Sequence, residues 1–140
     1  MICEPNTYIR YLSATYEGSI HDKKIADEED FLFTDTIVLL QDLGFQGYAP
    51  KKVEVVQPIK KAKNKELTDQ QKQYNKQQAQ KRVYVEHAIR GMKIMHIVKG
   101  KIRSHLQAWR DLVCYLACGI HNFKIYLKTK NKQTTLAYSI

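Results

Sequence analysis

The pattern of apolar and polar residues divides the chain into strand-like segments before residue 60 and helical segments after residue 81. Residues 8–15 (YIRYLSAT) alternate apolar and polar side chains, which predicts a half-buried strand. Pro5 and Asn6 give the preceding segment the chemistry of a turn. Because only residues 1–3 stand before this EPNT segment, the partner strand of the predicted hairpin is expected to be cut short.

Two further apolar runs predict strands of a sheet. Residues 36–42 (TIVLLQD) and 53–58 (VEVVQP) are short and rich in β-branched residues, as buried strands of α/β proteins are. Residues 17–31 begin with turn residues and continue as a short helix, for which Asp22 is a suitable N-cap. The first half of the chain therefore has the pattern of an α/β protein.

The second half is predicted to be helical. Residues 60–81 contain almost no core-forming side chains and are either a basic linker or the start of a solvent-exposed helix capped by Thr68. Apolar residues then recur at steps of three and four, at Val85, Ala88, Ile89, Met92 and Met95. A last helix near residues 105–128 is predicted to bury Leu106, Trp109, Leu112, Val113, Leu116 and Ile120, with Trp109 as a packing anchor. With 140 residues, the chain is expected to form one domain.

Charge separates the two halves more sharply than hydropathy does. Residues 1–59 carry 5 Lys and Arg against 10 Asp and Glu, whereas residues 60–140 carry 18 against 4. The net charges are therefore −5 and +14, which together give the +9 of the chain. Clustered cations release counterions when they meet phosphates, so the second half is predicted to bind nucleic acid.

Cysteine usage and the absence of targeting signals indicate an intracellular protein. Cys3, Cys114 and Cys118 form an odd set without a disulfide spacing, and the longest apolar run, residues 112–120, is too short for a membrane span. A cytoplasmic protein without membrane contact is therefore expected. Cys114, Cys118 and His121 share a helical face, where a core role is favoured over a zinc site because no fourth ligand is evident.

Two acids stand where a metal-dependent reaction on phosphates would need them. Asp42 follows an apolar strand, and the carboxyl ends of strands are where open α/β sheets place their ligands. Glu86 lies on a helix whose neighbouring turns carry Arg82, Arg90 and Lys93. This arrangement is either a solvated ladder of ion pairs or a metal-binding acid among phosphate-binding cations. His87 and His96 lie nearby, but exposed histidines on helices are usually neither phosphate contacts nor acid–base groups.

Several motifs in a fixed order resemble one enzyme family. The motifs are YLSATYEGSIHDKKIADE, LLQDLGFQGY, PIKKAKNKELTDQQKQYN, RVYVEHAIRGMK and LACGIHNF. Over residues 7–126 they look like the carboxyl-terminal part of bacterial insertion-sequence transposases of the DDE superfamily, close to the IS5 group. The resemblance implies an α/β, ribonuclease-H-like domain, with a mixed sheet and two or three carboxyl-terminal helices, that cuts and joins DNA at transposon ends with Mg²⁺ or Mn²⁺.

The same resemblance assigns roles to individual residues. It matches Asp42 to the second catalytic and metal-binding acid of the family and Glu86 to the third. It also implies a shell of DNA-binding cations, namely Arg82, Arg90, Lys93, Lys99, Lys101 and Arg103. Transposon-end DNA, a missing amino-terminal part or a second copy are the implied partners, and the bacterial nucleoid is the implied location.

One family feature has no counterpart in the sequence. The first catalytic Asp of the family precedes the hairpin, and no acid before Asp42 replaces it. The chain is therefore expected to be an amino-terminally truncated domain, either a decayed fragment or the second frame of a split transposase. A non-catalytic DNA-binding regulator that uses residues 68–103, or an inactive relic, are the alternatives. Without the central strand, residues 36–42 are expected to keep an unpaired edge that promotes aggregation.

Overall fold

The computed structural model describes residues 1–34, 36–100, 102, 104 and 106–137, with residues 131–137 as helix backbone only. The strands are β1 (Ile2–Cys3), β2 (Ile9–Tyr11), β3 (Ile37–Leu40) and β4 (Val53–Val56). The helices are α1 (Asp22–Glu29), α2 (Asp69–Lys93), α3 (His96–Lys99) and α4 (Gln107–Ala137), with a 3₁₀ turn at Leu43–Phe45. The predicted mixture of strands and helices is confirmed.

The chain divides into two compact units. We call residues 1–15 and 84–140 the helical unit, and residues 16–83 the sheet unit. Within the described residues, β1 and β2 form an antiparallel pair, and β3 and β4 form a parallel pair. The division falls inside α2, so that this helix contributes residues to both units.

The predicted hairpin at the start of the helical unit is present but shorter than expected. Ile2 pairs with Tyr11 and Cys3 with Ile9, and the ladder ends there rather than continuing to residue 15. So short a pair of strands is marginal in water without other support. The support comes from helix α4.

Polar side chains of α4 bind the backbone of residues 7–9. The Asn122 side chain accepts a hydrogen bond from the Ile9 N–H (2.8 Å) and donates one to the Ile9 carbonyl (2.9 Å). Nε2 of His121 lies 2.8 Å from the carbonyl oxygen of Thr7, a distance at which it donates a hydrogen bond to that oxygen. The carboxamide of Asn122 thereby replaces a neighbouring strand for β2.

A second set of bonds holds the end of the same segment and explains where the strand stops. Oδ1 of Asp111 accepts hydrogen bonds from the backbone N–H and from Oγ1 of Thr15, each at 2.6 Å. Gln107 donates to the Thr15 carbonyl at 3.1 Å. The backbone of Thr15 is thus bonded to a helix, which takes it out of a strand ladder.

The core of the helical unit is small. Ile9, Ala88, Met92 and Ala117 form one cluster, against which Met95 and Cys118 pack. Met92 and Met95, which share this helical spacing, therefore lie in the core and against it. Ile89, which follows the same helical spacing, remains 38% exposed.

The predicted buried face of α4 is mostly wrong. Val113 is buried, whereas Leu106, Trp109, Leu112, Leu116 and Ile120 are exposed. Trp109 is 52% exposed and is therefore not a packing anchor. The reason is geometric. Since Val113, Ala117 and His121 occupy the buried face of α4, the residues on the other side of the helix point to solvent.

The sheet unit confirms two predicted strands and one predicted cap. β3 and β4 pair in parallel from Ile37 with Val53 to Leu40 with Val56, although Val38 is 58% exposed and the strands are only partly buried. Thr68 begins α2 with a reciprocal capping box, in which its Oγ1 accepts from the Gln71 N–H and its own N–H donates to the Gln71 side chain.

Asp22 is not the cap of α1. His21 holds the N-cap position, and Asp22 is the first helical residue. An acid in the first turn still interacts favourably with the helix dipole. A Cβ atom built on Gly44 would lie 2.5 Å from Oδ2 of Asp22, so a larger residue there would require the Asp22 side chain to move.

Gly91 provides a test of the packing between α2 and α4. A methyl group at Gly91 would overlap the imidazole of His121, which is buried and held by Thr7. Overpacking costs about 1–3 kcal/mol, whereas alanine in a helix otherwise gains about 1 kcal/mol over glycine. We expect Gly91→Ala to lower the free energy of unfolding by up to about 2 kcal/mol, measured by urea unfolding with far-UV circular dichroism.

Gly119→Ala is the matched control, because a Cβ atom at Gly119 in α4 meets nothing within 4 Å. This variant should be as stable as the parent or more so. Equal stability of the two variants would contradict the described packing of His121 against Gly91.

Asp111 predicts a dependence of stability on pH. The hydroxyl of Thr15, and then its backbone N–H, lower the pKa of the Asp111 carboxyl in the folded protein. A lowered folded pKa means that the stabilisation is present above the unfolded value of about 3.9 and is lost as the pH falls through the folded value. We expect the stability difference between the parent and Asp111→Asn to shrink between pH 7 and pH 3.

Chemical unfolding of both proteins at several pH values checks this expectation. Glu54→Gln, at an exposed position of β4, controls for the loss of one negative charge. A difference between parent and Asp111→Asn that is constant with pH would refute the role of the carboxylate.

Candidate functional site

Asp42 lies where the sequence predicts it, just past the carboxyl end of β3. Its side chain caps the 3₁₀ turn, since Oδ1 accepts a hydrogen bond from the Leu43 N–H at 2.7 Å. The same oxygen accepts a hydrogen bond from Nη1 of Arg82 at 2.9 Å. The Asp42 side chain is 59% exposed and the Arg82 side chain 23% exposed, so the acid faces solvent while its counter-ion is largely covered.

Two glutamines fix the backbone that carries Asp42. Gln41 is buried, and its N–H extends the ladder of the sheet by donating to the Val56 carbonyl at 3.0 Å. Nε2 of Gln57 donates to the Gln41 side chain (2.7 Å) and to the Phe45 carbonyl (3.2 Å). The end of β3 and the following turn are therefore bound to the segment after β4.

Glu86 lies in a different setting, at an open groove of the helical unit. The groove has a volume of about 620 Å³ and is lined by Glu86, Ile89, Arg90, Lys93, Ile94, His96 and Lys99. α2 provides the first part of this lining and α3 the last. Because Ala88 and Met92 point into the core, Glu86 and its cationic neighbours fall on the solvent side of α2.

In the described part of the chain, the cations that line the groove are not ion-paired with Glu86. Among the described residues, no ion pair joins Glu86 to Arg82, Arg90 or Lys93. Arg90 and Lys93 stand in the last turn of α2, where positive charge interacts favourably with the helix dipole. The groove can therefore accept an anion such as a phosphate.

The structure sorts the predicted DNA-binding residues into three sets. Arg90, Lys93 and Lys99 line the groove together with Glu86. Arg82 instead binds Asp42 in the sheet unit. Lys101 and Arg103 lie outside the described residues.

Two apolar groove residues were not anticipated as part of a site. Ile94 is 63% exposed and Ile89 is 38% exposed. Ile89 follows the helical spacing of the core residues, so its position on the groove was hidden by the periodicity. His96 also lines the groove, among three cationic side chains.

The two predicted acids carry the type of ligand atom that a hard cation prefers. Asp42 and Glu86 offer carboxylate oxygens, the ligands that Mg²⁺ and Mn²⁺ prefer. Within the described part of the chain, no group of three or more His, Cys, Asp or Glu side chains stands close enough to hold a metal.

The cysteine face of α4 behaves as part of the packing. Burial raises the pKa of the Cys114 and Cys118 thiols, which disfavours the thiolate that binds metal. Cys118 packs against the core, and His121 is bonded to the Thr7 carbonyl. These contacts agree with the predicted core role.

Comparison with known proteins places the chain in a family. Residues 1–122 match the family described as DDE superfamily endonuclease. Over 112 residues the chain is 32% identical to a protein of Microchaete diplosiphon described as "Probable transposase for insertion sequence element IS702". The match covers 80% of this chain, and the chain spans 40% of the length of that curated relative. No solved structure matches the chain.

The chain belongs to the DDE superfamily of endonucleases, as the match over most of its length shows. The resemblance of its motifs to insertion-sequence transposases is confirmed by the relative. In the described part of the chain, no helix has both the length and the apolar content that crossing a bilayer requires.

Proposed function

We propose that the chain is the carboxyl-terminal part of a transposase catalytic domain that cuts and joins DNA at insertion-sequence ends. In this proposal the 140 residues form one incomplete ribonuclease-H-like domain. Asp42 is its second catalytic acid and Glu86 its third. The protein works on DNA in the cytoplasm, at the nucleoid, and either a missing amino-terminal part or a second copy completes it.

The observation that supports this function best is the state of Glu86. This acid is exposed at a groove with three Lys and Arg side chains, yet it is not paired with any described cation. Cations that face solvent without internal partners are free to bind phosphates. An acid among them would repel DNA unless something neutralises it, which a bound divalent cation does.

The metal proposed for this site is Mg²⁺ or Mn²⁺. Asp42 and Glu86 would hold it through carboxylate oxygens, and it would supply Lewis-acid activation of a phosphodiester. Arg90, Lys93 and Lys99, which line the groove, bind phosphates of the DNA backbone. The first acid of the family has no match here, so another segment or another chain has to supply it.

The second candidate function is a DNA-binding regulator without catalysis. It uses the same cationic groove and differs only in the absence of cleavage. The DNA-binding test therefore examines both functions, and the cleavage test separates a complete catalytic site from an incomplete one.

The groove predicts how the chain binds DNA. Each phosphate contact adds about 0.9 to the slope of log affinity against log salt. We expect the triple variant Arg90→Gln, Lys93→Gln, Lys99→Gln to lose about 2–3 from this slope on a labelled duplex, measured by fluorescence anisotropy. Glu86→Gln should bind more tightly at every salt concentration, because one repulsive charge is removed.

Lys51→Gln is the control, since Lys51 is exposed in the turn before β4 and far along the chain from the groove. It should leave the slope unchanged. Binding that is insensitive to salt, or equal effects of the control and the groove variants, would argue against the groove as the DNA site.

The number of acids predicts that this chain alone does not cut DNA. Two of three carboxylates are insufficient for the paired metal ions of phosphodiester chemistry. We expect no nicking of supercoiled DNA with Mg²⁺ or Mn²⁺ for the parent, Asp42→Ala or Glu86→Ala. Cutting by the parent that both variants abolish would overturn this expectation, whereas cutting that persists in both variants would come from a contaminant.

A further inference from the structure

Arg82 has a partner that changes its expected role. The sequence suggests that its guanidinium contacts DNA phosphate, but in the sheet unit Nη1 lies 2.9 Å from Oδ1 of Asp42. The same nitrogen lies 3.5 Å from the carbonyl oxygen of Gln41. Only 23% of the Arg82 side chain is exposed. The Arg82 guanidinium is therefore already paired with the Asp42 carboxylate.

The contacts of Asp42 are confined to one of its two oxygens. Oδ1 accepts hydrogen bonds from both Arg82 and the Leu43 N–H. Among the described residues, no hydrogen bond to Oδ2 is present. Two donors on one oxygen stop the carboxylate from rotating, and a side chain with this exposure would otherwise be free to turn. The two bonds therefore restrict the orientation of the Asp42 carboxylate, whose side chain is 59% exposed.

The support of this arrangement extends into the backbone. Gln41 is buried, and both its N–H and its side chain are bonded to the β4 strand and the residue after it. Arg82 is placed by α2, a helix with a well-formed amino-terminal cap at Thr68. A strand and a helix therefore fix the two ends of the Asp42–Arg82 ion pair.

We propose that Arg82 is a positioning residue for the Asp42 carboxylate and that it does not contact DNA phosphate while Asp42 is ionised. The proposal rests on the proposed function, because it concerns one of the two proposed catalytic acids. It predicts that neutralising Asp42 releases Arg82 and adds one phosphate contact. The salt dependence of DNA binding then shows whether the Arg82 guanidinium is paired with Asp42 or contacts a phosphate.

A cycle of variants tests this by the salt dependence of duplex binding. Asp42→Asn removes the charge but keeps an oxygen that can cap Leu43. We expect Arg82→Gln to leave the slope of log affinity against log salt unchanged, and Asp42→Asn to raise it by about 0.9. The double variant should return to the parent value. Arg90→Gln, in the groove, should lower the slope by about 0.9 and shows that one contact is measurable.

The opposite pattern overturns the proposal. If Arg82 already binds phosphate, Arg82→Gln lowers the slope by about 0.9 and Asp42→Asn has no effect. A purely structural ion pair would not change the slope when Asp42 is neutralised, and that result also refutes release of Arg82.

Failure of the parent to bind DNA at low salt would refute the proposed function, and a second measurement then decides on Arg82. In thermal unfolding, the two single variants should each lower the melting temperature, and the double variant should lower it by less than their sum. Arg82→Lys, which keeps the charge, should restore part of the loss. Additive effects of the two single variants would refute the ion pair.

Discussion

The burial of one face of α2 decides where the candidate site lies. Ala88 and Met92 pack against Ile9 and Ala117, and this small cluster is the core of the helical unit. Since residues four apart share a helix face, the face opposite Ala88 and Met92 has to meet solvent. Glu86, Arg90 and Lys93 occupy it. The packing of the core therefore determines which face of α2 forms the groove.

That core depends in turn on polar contacts from α4. Ile9 stays in place because Asn122 bonds both its N–H and its carbonyl, and Asp111 and Gln107 hold the segment again at Thr15. Hydrogen bonds of this kind contribute about 1 kcal/mol each, and leaving their buried partners unsatisfied costs more. A strand of three residues needs this help, since it has only the two residues of β1 beside it. The polar residues of α4 therefore do for β2 what a longer strand would do.

Local signals in the sequence were sufficient for some of these features and insufficient for others. The cap at Thr68, the two strands β3 and β4 and the strand-end position of Asp42 rest on residues a few places apart, and each was predictable. The buried face of α4 was not, because it depends on bonds between residues 7–15 and 107–122, about a hundred positions apart. Apolar periodicity favoured Trp109 and Leu116 for the core, whereas the polar residues Asn122 and Asp111 determine which face is covered.

The positive charge of the site was predictable from the sequence, but the pairing of its charged side chains was not. An excess of Lys and Arg in the second half is visible in the sequence, and the groove confirms that three of the predicted cations stand together with Glu86. The partner of Arg82 is 40 residues away, on the strand end, and no helical spacing reveals it. Arg82 and Glu86 are one turn apart on α2, yet their charges have different uses. Among the described residues, Arg82 is paired with Asp42, whereas Arg90, Lys93 and Lys99 form no ion pair.

Lysine footprinting tests most directly whether the groove is the DNA-binding surface. The chain is treated with an amine-reactive reagent with and without a DNA duplex at low salt, and modification of each lysine is quantified by mass spectrometry. The account predicts that DNA protects Lys93 and Lys99, whereas Lys24 and Lys51 react equally in both conditions. Protection confined to the lysines of residues 60–65, or to Lys124 and Lys128 on α4, would contradict it.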